Sequence, residues 1–272
     1  MKISFLGGGN MAIALIGGLL QRGFAPAQIQ VVELLAPARD KLVAQFGVRA
    51  AAVPDDQLLA CDVLVLAVKP QQMREALAPL AGRLAGPLVV SIAAGLRLAD
   101  LSRWLGGYRR LVRCMPNTPA LIGAGMTGLY ADPSVDAAGR DAAGQVLSAV
   151  GDVVWVEDEV RMDAVTALSG SGPAYVFHFI EALESAGVAM GFDGATARKL
   201  ALGTVLGAAR LAAGSPDSPA ELREKVTSKG GTTAAALARM EADGFMGLVE
   251  RALLAAEARG RELGDVLGQD PA

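Results

Sequence analysis

A glycine-rich turn near the start of the chain has the residue types and spacing of an anion-binding site. An apolar run ends at Leu6, and Gly7-Gly8-Gly9-Asn10-Met11-Ala12 follows it with the spacing Gly-x-Gly-x-x-Ala. The first glycine of such a pattern permits a sharp turn, the second lets a pyrophosphate approach the backbone, and the alanine allows close helix–strand packing. The start of the following helix offers free N–H groups and a positive dipole end. The turn therefore predicts binding of a dinucleotide.

The same stretch could instead be an ordinary glycine turn or part of a secretory signal. Lys2 followed by apolar residues as far as Leu20 has the composition of a signal. The glycines break that run, however, and Gln21-Arg22-Gly23 closes a helix before a second apolar run, Ile29-Gln30-Val31-Val32. This strand–helix–strand order favours the dinucleotide site.

Glu33 stands directly after the second strand, where dinucleotide-binding domains place an acid on the ribose hydroxyls. Leu34 and Leu35, which follow it, provide neither a hydroxyl nor a guanidinium for a 2′-phosphate. Because a carboxylate binds a ribose diol and repels a phosphate, Glu33 favours a dinucleotide without a 2′-phosphate at least as much as one that carries it. Arg39, a few residues further on, is the side chain that could compensate.

A second turn, rich in hydroxyls and glycines, precedes a helix in the second half of the chain. Its sequence is Thr227-Ser228-Lys229-Gly230-Gly231-Thr232-Thr233. Backbone N–H groups in such a turn can hold a carboxylate or a phosphate. The alternative is helix capping by Thr232, with the glycines serving only the turn. Lys69 and Lys229 could each contact an anion, and the alternative for both is a solvated surface lysine.

The remaining reactive side chains point to no further centre. His178 lies among aromatic and apolar residues and is predicted to be packed or hydrogen-bonded rather than catalytic. Cys61 and Cys114 adjoin apolar strands, which indicates buried thiols in a reducing compartment and neither a disulfide nor a metal site. Glu157-Asp158-Glu159 is an acidic run where the pattern changes. Such runs are usually solvated, but a junction over a cofactor crevice is where a substrate would lie.

Alternating strands and helices would position the first of these sites. The further predicted strands are residues 62–68, 88–92, 111–114, 126–130 and 153–156. This alternation predicts a parallel sheet with right-handed crossovers, which binds ligands beyond the carboxyl ends of its strands. Lys69-Pro70, Ala93-Ala94 and Asn117 follow such strands and should therefore face the same crevice as the glycine turn.

From residue 157 onward only helical patterns remain. We therefore predict an α/β Rossmann-type parallel-sheet domain over residues 1–157 and an all-α dimerisation domain over residues 158–272. The last helix is expected to end near Leu263, with a frayed tail from Gly264. The helices carry more apolar positions than one small bundle could bury, which predicts packing against a second copy of the chain. The alternative is a compact monomeric bundle.

Composition sets limits on the partners. The 272 residues carry a net charge of −3, which gives no support for binding to nucleic acid or to an anionic membrane surface. Residues of hydrophobic type make up 52% of the chain but aromatic ones only 4%, so the core must be built from small and aliphatic side chains. No stretch predicts a membrane span.

Over most of its length the chain resembles the pyrroline-5-carboxylate reductase family. The motifs that carry the resemblance in the first half are the glycine turn, Ala67-Val68-Lys69-Pro70-Gln71, residues 91–95 and Met115-Pro116-Asn117-Thr118-Pro119. Those in the second half are Asp163-Ala164-Val165-Thr166, Ser169-Gly170-Ser171-Gly172-Pro173-Ala174-Tyr175 and Ser228-Lys229-Gly230-Gly231-Thr232-Thr233. Many dehydrogenases share the first motif, whereas the last two in this order are specific to the family. Lys229 stands where a proline is common in the family.

The resemblance implies an NADPH or NADH site and a substrate site that two chains share. The implied cofactor-binding residues are Leu6, Gly7, Gly9, Asn10, Met11, Ala12, Glu33, Ala67, Val68, Lys69, Pro70, Ile92, Ala93, Ala94 and Asn117. The implied substrate-binding residues are Glu159, Ser228, Gly230, Gly231, Thr232 and Thr233. Thr233 and Glu159 match catalytic residues that meet the substrate nitrogen. The family forms dimers with interlocked helical domains, often assembled into rings, and a cytoplasmic enzyme is expected.

The implied reaction is hydride transfer from a reduced nicotinamide to the C=N carbon of 1-pyrroline-5-carboxylate, which gives L-proline. A protonated imine is a strong electrophile, so that positioning and charge suffice without a metal. Two alternatives remain at this point. One is another two-domain imine or hydroxy-acid reductase, and the other is a nucleotide-binding protein without catalytic activity.

Overall fold

A computed structural model describes residues 1–269 of the chain. Eight strands form one sheet in the order β3-β2-β1-β4-β5-β6-β7-β8. The strands are β1 Ile3–Leu6, β2 Ile29–Val32, β3 Arg49–Ala51, β4 Val63–Leu66, β5 Leu88–Ser91, β6 Leu111–Met115, β7 Gly125–Ala131 and β8 Gly151–Trp155. The helices of the first half are α1 Asn10–Gln21, α2 Ala36–Phe46, α3 Asp56–Leu59, α4 Pro70–Leu77, α5 Leu98–Trp104 and α6 Ala137–Leu147.

The second half is helical, as predicted. Its helices are α7 Arg161–Val165, α8 Gly172–Ala189, α9 Gly194–Gly214, α10 Pro219–Lys225, α11 Thr232–Ala242 and α12 Phe245–Leu267. A π-helical turn, Thr166–Gly170, connects α7 to α8. The predicted interruption at residues 169–173 is therefore a wide turn followed at once by the next helix. The predicted fold class, a Rossmann-type sheet domain followed by an all-α dimerisation domain, is confirmed.

The sheet departs from the prediction at two places. β7 runs antiparallel to β6, with Cys114 opposite Leu129, whereas every other pair of neighbouring strands is parallel. A parallel return needs a crossover of about a dozen residues or more, and the short segment 116–124 supplies none. β3 is absent from the predicted strands, because three partly exposed residues at the sheet edge carry almost no hydrophobic pattern.

Strand alternation divides the core of the sheet into two layers. Ile3 and Phe5 are fully buried and pack with Leu15 of α1 on one face. Leu6 turns to the other face, where Met73 and Leu77 of α4 are buried with it. Because both faces are covered by helices, the central strands β1, β4 and β5 consist mostly of apolar residues.

Contacts divide the chain into two units. The first comprises Met1–Ser171 together with residues 254–269, and the second comprises Gly172–Leu253. The first unit extends past residue 157 because α7 and the π-helical turn lie against β7. In the second unit α8 and α9 pack closely: a Cβ built on Gly187 would lie 2.9 Å from the Cβ of Ala197.

The predicted frayed tail from Gly264 is wrong within the described residues. Helix α12 continues to Leu267, and Gly264 is buried rather than exposed. Gly264 lies against the backbone of Gly95, which explains why a glycine at this point does not end the helix. Residues 270–272 of that predicted tail lie outside the described residues.

Candidate active site

The glycine turn between β1 and α1 has the conformation that its spacing predicts. Gly7 has φ +102°, and a Cβ at this position would lie 2.7 Å from the carbonyl oxygen of Ala67. Only glycine fits both conditions. Gly9, by contrast, has no atom within 4 Å of a Cβ built on it, so the space in front of its backbone is open. Gly9 is the N-cap of α1 and no side chain caps this helix, which leaves N–H groups free for an anion.

Glu33 lies beside this turn at the carboxyl end of β2. Its carboxylate accepts hydrogen bonds from the backbone N–H of Gly8 at 3.0 Å and of Leu35 at 2.9 Å. Arg39 donates to the carbonyl oxygens of Glu33 and Leu34 at 2.8 and 2.7 Å. The same end of β2 thus holds a fixed carboxylate and a fixed guanidinium, and the second could meet a phosphate that the first repels.

The neighbouring strands bring two more predicted segments to the same edge of the sheet. The N–H of Ala67 donates to Leu6 at 2.8 Å and that of Ile92 donates to Leu66 at 3.1 Å, so residues 67–70 and 92–94 follow β4 and β5 directly. Lys69 is the N-cap of α4 and makes no side-chain capping bond. The sheet order therefore collects all the predicted cofactor residues except Asn117 at the carboxyl ends of β1, β2, β4 and β5.

Asn117 follows β6, and its amide is engaged within the fold. Its Oδ1 accepts from the N–H of Met126 at 2.9 Å, and its Nδ2 donates to the carbonyl oxygen of Ser169 at 3.2 Å. Asn117 thus connects β7 to the π-helical turn. Gly170 in that turn packs on Met115, where a Cβ would lie 2.4 Å from the Met115 Cε. These contacts explain by packing and hydrogen bonding why the motif at residues 115–119 has an asparagine and the motif at residues 169–175 has a glycine.

A buried charge cluster joins β6 to α7. Arg113 is 3% exposed and pairs through Nη1 with Glu159 at 3.3 Å and through Nη2 with Asp163 at 3.1 Å. The same Glu159 oxygen, Oε1, accepts from the backbone N–H of Leu98 at 2.8 Å. Burying a guanidinium is costly unless carboxylates pair with it, and here two do.

Sequence reasoning missed this cluster, although a signal was present. Arg113 is the one charged residue in the apolar strand Leu111–Met115, and a charge in a covered strand needs a partner. The family resemblance implies that Glu159 meets a substrate nitrogen. In the structure its Oε1 is bound to Arg113 and Leu98, and the side chain is 23% exposed.

The hydroxyl-rich turn in the second unit ends at the start of α11. Gly231 is the N-cap, and no side chain caps the helix, so the alternative of capping by Thr232 is not observed. Gly230 has φ +74°, and the N–H of Gly231 donates to the carbonyl oxygen of Ser228 at 3.0 Å. Free N–H groups at the start of α11 and the Thr233 hydroxyl remain available for an anionic ligand.

The other singled-out side chains lie outside both sites. His178 was predicted to be packed or hydrogen-bonded. Its side chain is exposed, and its Nδ1 lies 3.3 Å from Oε2 of Glu181, so it is hydrogen-bonded and not packed. Burial raises the pKa of the Cys114 thiol, and burial likewise raises that of Cys61. Cys61 lines a recess of about 630 Å³ with Lys2 and Asp62. This recess is at the amino ends of the strands, the edge opposite the glycine turn.

Comparison with known proteins assigns both halves of the chain. A family model described as pyrroline-5-carboxylate reductase dimerisation matches residues 159–263, and one described as NADP oxidoreductase, coenzyme F420-dependent, matches residues 2–95. The match to the dimerisation model indicates that the chain forms a homo-oligomer. No helix within residues 1–269 combines the length and apolar character needed to cross a membrane.

Full-length relatives agree with the two family models. The pyrroline-5-carboxylate reductase of Pseudomonas aeruginosa is 49% identical over 269 residues, which cover 98% of each chain. A solved pyrroline-5-carboxylate reductase from Coxiella burnetii has TM-score 0.92 and 40% identity, covering 96% of this chain and 98% of its own. The Plasmodium falciparum pyrroline carboxylate reductase, solved with NADP bound, has TM-score 0.84 and 28% identity, with 97% and 98% covered. The chain belongs to the pyrroline-5-carboxylate reductase family.

Proposed function

We propose that the chain reduces 1-pyrroline-5-carboxylate to L-proline with NADH or NADPH held at the carboxyl edge of its sheet. The observation that carries this proposal is the meeting of the glycine turn with residues 67–70 and 92–94 at one edge. The names of the relatives give the same substrate. When bound, the reduced nicotinamide supplies a hydride to the C=N carbon.

The residues present fit a dinucleotide. The open space at Gly9 and the uncapped start of α1 suit a pyrophosphate, because nothing blocks the approach to the N–H groups. Val68 and Ala93 follow the neighbouring strands β4 and β5 and offer small apolar side chains. Glu33 suits a ribose diol, and Arg39, held by the carbonyl oxygens of Glu33 and Leu34, is a fixed cation that suits a 2′-phosphate.

The turn at residues 228–233 would hold the substrate. Its N–H groups at the start of α11 would donate to the substrate carboxylate, with Ser228 and Thr232 at the rim. The Thr233 hydroxyl would hydrogen-bond to the ring nitrogen and orient it, since a hydroxyl both donates and accepts. In this proposal the turn comes from the partner chain of an interlocked dimer.

Glu159 receives a different role from the one its position in the motif indicates. Because its Oε1 is bound to Leu98 and Arg113, direct contact with the substrate nitrogen falls to Thr233. The cluster still holds two carboxylates against one guanidinium. Its remaining negative charge favours the protonated imine at short range, where water is excluded.

The same proposal includes assembly and compartment. Aromatic and aliphatic side chains of α8, among them Tyr175 and Phe177, are 40% and 60% exposed in the single chain, which suits an interlocked dimer. The dimerisation match begins at residue 159, which supports a functional boundary between residues 157 and 158. The proposal includes assembly of dimers into a ring. It also includes a cytoplasmic location, because free cysteines such as Cys61 and Cys114 are typical of a reducing compartment.

The test is a direct assay of the purified protein. Incubation with NADH or NADPH and 1-pyrroline-5-carboxylate should oxidise the nicotinamide and form L-proline in equal amounts. Hydroxy-acid and acyclic imine substrates tested in parallel distinguish the neighbouring reductase classes. Cofactor binding without turnover of any substrate would leave a nucleotide-binding protein and overturn the proposal.

A further inference from the structure

The loop between β5 and α5, residues 92–97, is held from the side by the end of α12. Gly95 in this loop has φ +81°, and a Cβ built on Gly264 would lie 2.9 Å from the Gly95 carbonyl oxygen. A Cβ built on Gly95 would in turn lie 3.2 Å from the Cδ1 of Leu267. The two backbones therefore touch at a pair of glycines, and neither position has room for a larger residue.

Polar contacts hold the same loop in place. Arg97 pairs with Asp265 of α12 at 2.6 Å. Arg103 of α5 donates to the carbonyl oxygen of Gly268 at 2.5 Å. From the opposite direction, Glu159 accepts the N–H of Leu98 at 2.8 Å. The β5–α5 loop is thus fixed at its carboxyl end by two segments that lie far from it in the sequence.

These contacts lie next to residues 92–94. Leu96, which follows Gly95, is fully buried and Ala93 is 5% exposed, whereas Ala94 between Ala93 and Gly95 is exposed. We therefore expect a shift of the Gly95 carbonyl to displace the adjoining backbone of Ala94. The consequence for the cofactor rests on the proposed function, in which residues 92–94 line the nicotinamide cofactor.

We propose that Gly264 and Leu267 are positioning residues for cofactor binding: the last turn of α12 fixes the β5–α5 loop against which the dinucleotide lies. They touch neither the cofactor nor the substrate. A change at Gly264 should therefore act on the affinity for the cofactor, and through it on the rate at low cofactor concentration. The Michaelis constant for the imino acid at saturating cofactor should stay the same.

Helix α12 offers a matched control for Gly264. Gly260 lies one turn earlier on the same face, and a Cβ there would meet only the Cβ of Asp163 at 3.9 Å, an ordinary contact. Gly264→Ala and Gly260→Ala gain the same helix propensity. We expect Gly264→Ala to raise the KM for reduced nicotinamide by about tenfold. A displacement of a binding loop by about one ångström can reduce activity by at least this factor. Gly260→Ala should change this KM by less than about twofold.

A second pair avoids the risk that Gly264→Ala disturbs folding. Leu267→Ala removes the side chain that contacts Gly95 without adding a clash, and Val266→Ala trims a neighbour that is 64% exposed. Leu267→Ala should raise the cofactor KM and the dissociation constant from fluorescence titration, and Val266→Ala should change neither. Equal cofactor constants within both pairs would overturn the proposal.

Gly7→Ala separates this result from a failure of the cofactor site. Loss of cofactor binding in Gly7→Ala with equal constants in both α12 pairs would refute only the role of α12. Normal binding in Gly7→Ala would refute the proposed cofactor turn. In that case the two α12 pairs would still decide whether Gly264 and Leu267 position the loop.

Discussion

The Oε1 atom of Glu159 accepts the backbone N–H of Leu98 at 2.8 Å, although 61 residues separate them in sequence. This bond ties the segment just before α7 to the first residue of α5. Because Arg113 binds the same oxygen at 3.3 Å, the carboxylate has a fixed direction. A residue that motif position assigns to the substrate is therefore bound to the backbone at the end of the β5–α5 loop, which we propose to line the cofactor.

Glu159 should show two separable effects. Glu159→Ala removes both the acceptor for Leu98 and the charge, and we expect it to raise the cofactor KM by about tenfold, which corresponds to about 1.4 kcal/mol for one hydrogen bond to a charged group. Glu159→Gln keeps an acceptor oxygen and should leave this KM within about twofold of the wild type while lowering kcat. Steady-state kinetics with each substrate in turn measure both constants. Identical cofactor KM values for the two variants would contradict the positioning role.

Arg113 should be far more costly to remove than an exposed arginine. Arg113→Met leaves the buried Asp163 carboxylate without its cation and removes the ion pair of Glu159, and we expect a loss of about 3–5 kcal/mol in the free energy of unfolding. Arg259→Met removes an exposed partner of Glu262 and should cost less than about 1 kcal/mol. Urea unfolding followed by circular dichroism compares the two, and similar losses would mean that the buried cluster contributes no special stability.

Thr233 is predicted to act in the chemical step. Thr233→Ala should lower kcat by about 100-fold, as loss of a group that orients or protonates the reacting atom does, and should raise the cofactor KM much less. Thr232→Ala, at the preceding position of α11, is the comparison: as a proposed binding residue at the rim, it should raise the KM for the imino acid while keeping most of the wild-type kcat. An unchanged kcat in Thr233→Ala would remove this residue from the mechanism.

Glu33 should set the choice between the two nicotinamide cofactors. We expect kcat/KM with NADH to equal or exceed that with NADPH, because the carboxylate fixed by Gly8 and Leu35 repels a 2′-phosphate. Glu33→Gln should move the ratio toward NADPH by about tenfold, the equivalent of about 1.4 kcal/mol of repulsion. Arg39→Met should move it the other way. A strong preference of the wild type for NADPH would show that Arg39 outweighs Glu33.

The features that depend on local residues could be predicted from the sequence. The positive φ of Gly7, +102°, and the open space beside Gly9 are examples. Both could be predicted because a tight turn depends on the types of a few consecutive residues. The helical half is predictable for the same reason, since helix signals repeat every few residues. The collection of residues 67–70 and 92–94 beside the turn followed from the rule on carboxyl ends of parallel strands.

Long-range relationships were not predictable in the same way. The partners of Arg113 lie 46 and 50 residues away, and a single sequence does not indicate which acids will meet a buried guanidinium. The direction of β7 depends on the short segment before it and not on its own composition. Gly264 was predicted to follow the end of the last helix, because glycine often ends a helix. The packing reason for this glycine, its close contact with Gly95, lies far away in the sequence and could not be predicted from local residues.

The contact between Gly95 and Gly264 also orders events during translation. The ribosome makes the β5–α5 loop long before α12 leaves the exit tunnel, and domains tend to fold as their residues emerge. A nascent chain can thus complete its eight strands before the last turn of α12 fixes the loop that we propose to line the nucleotide. The affinity for the coenzyme should therefore reach its full value only when α12 docks, and not in proportion to the length synthesised.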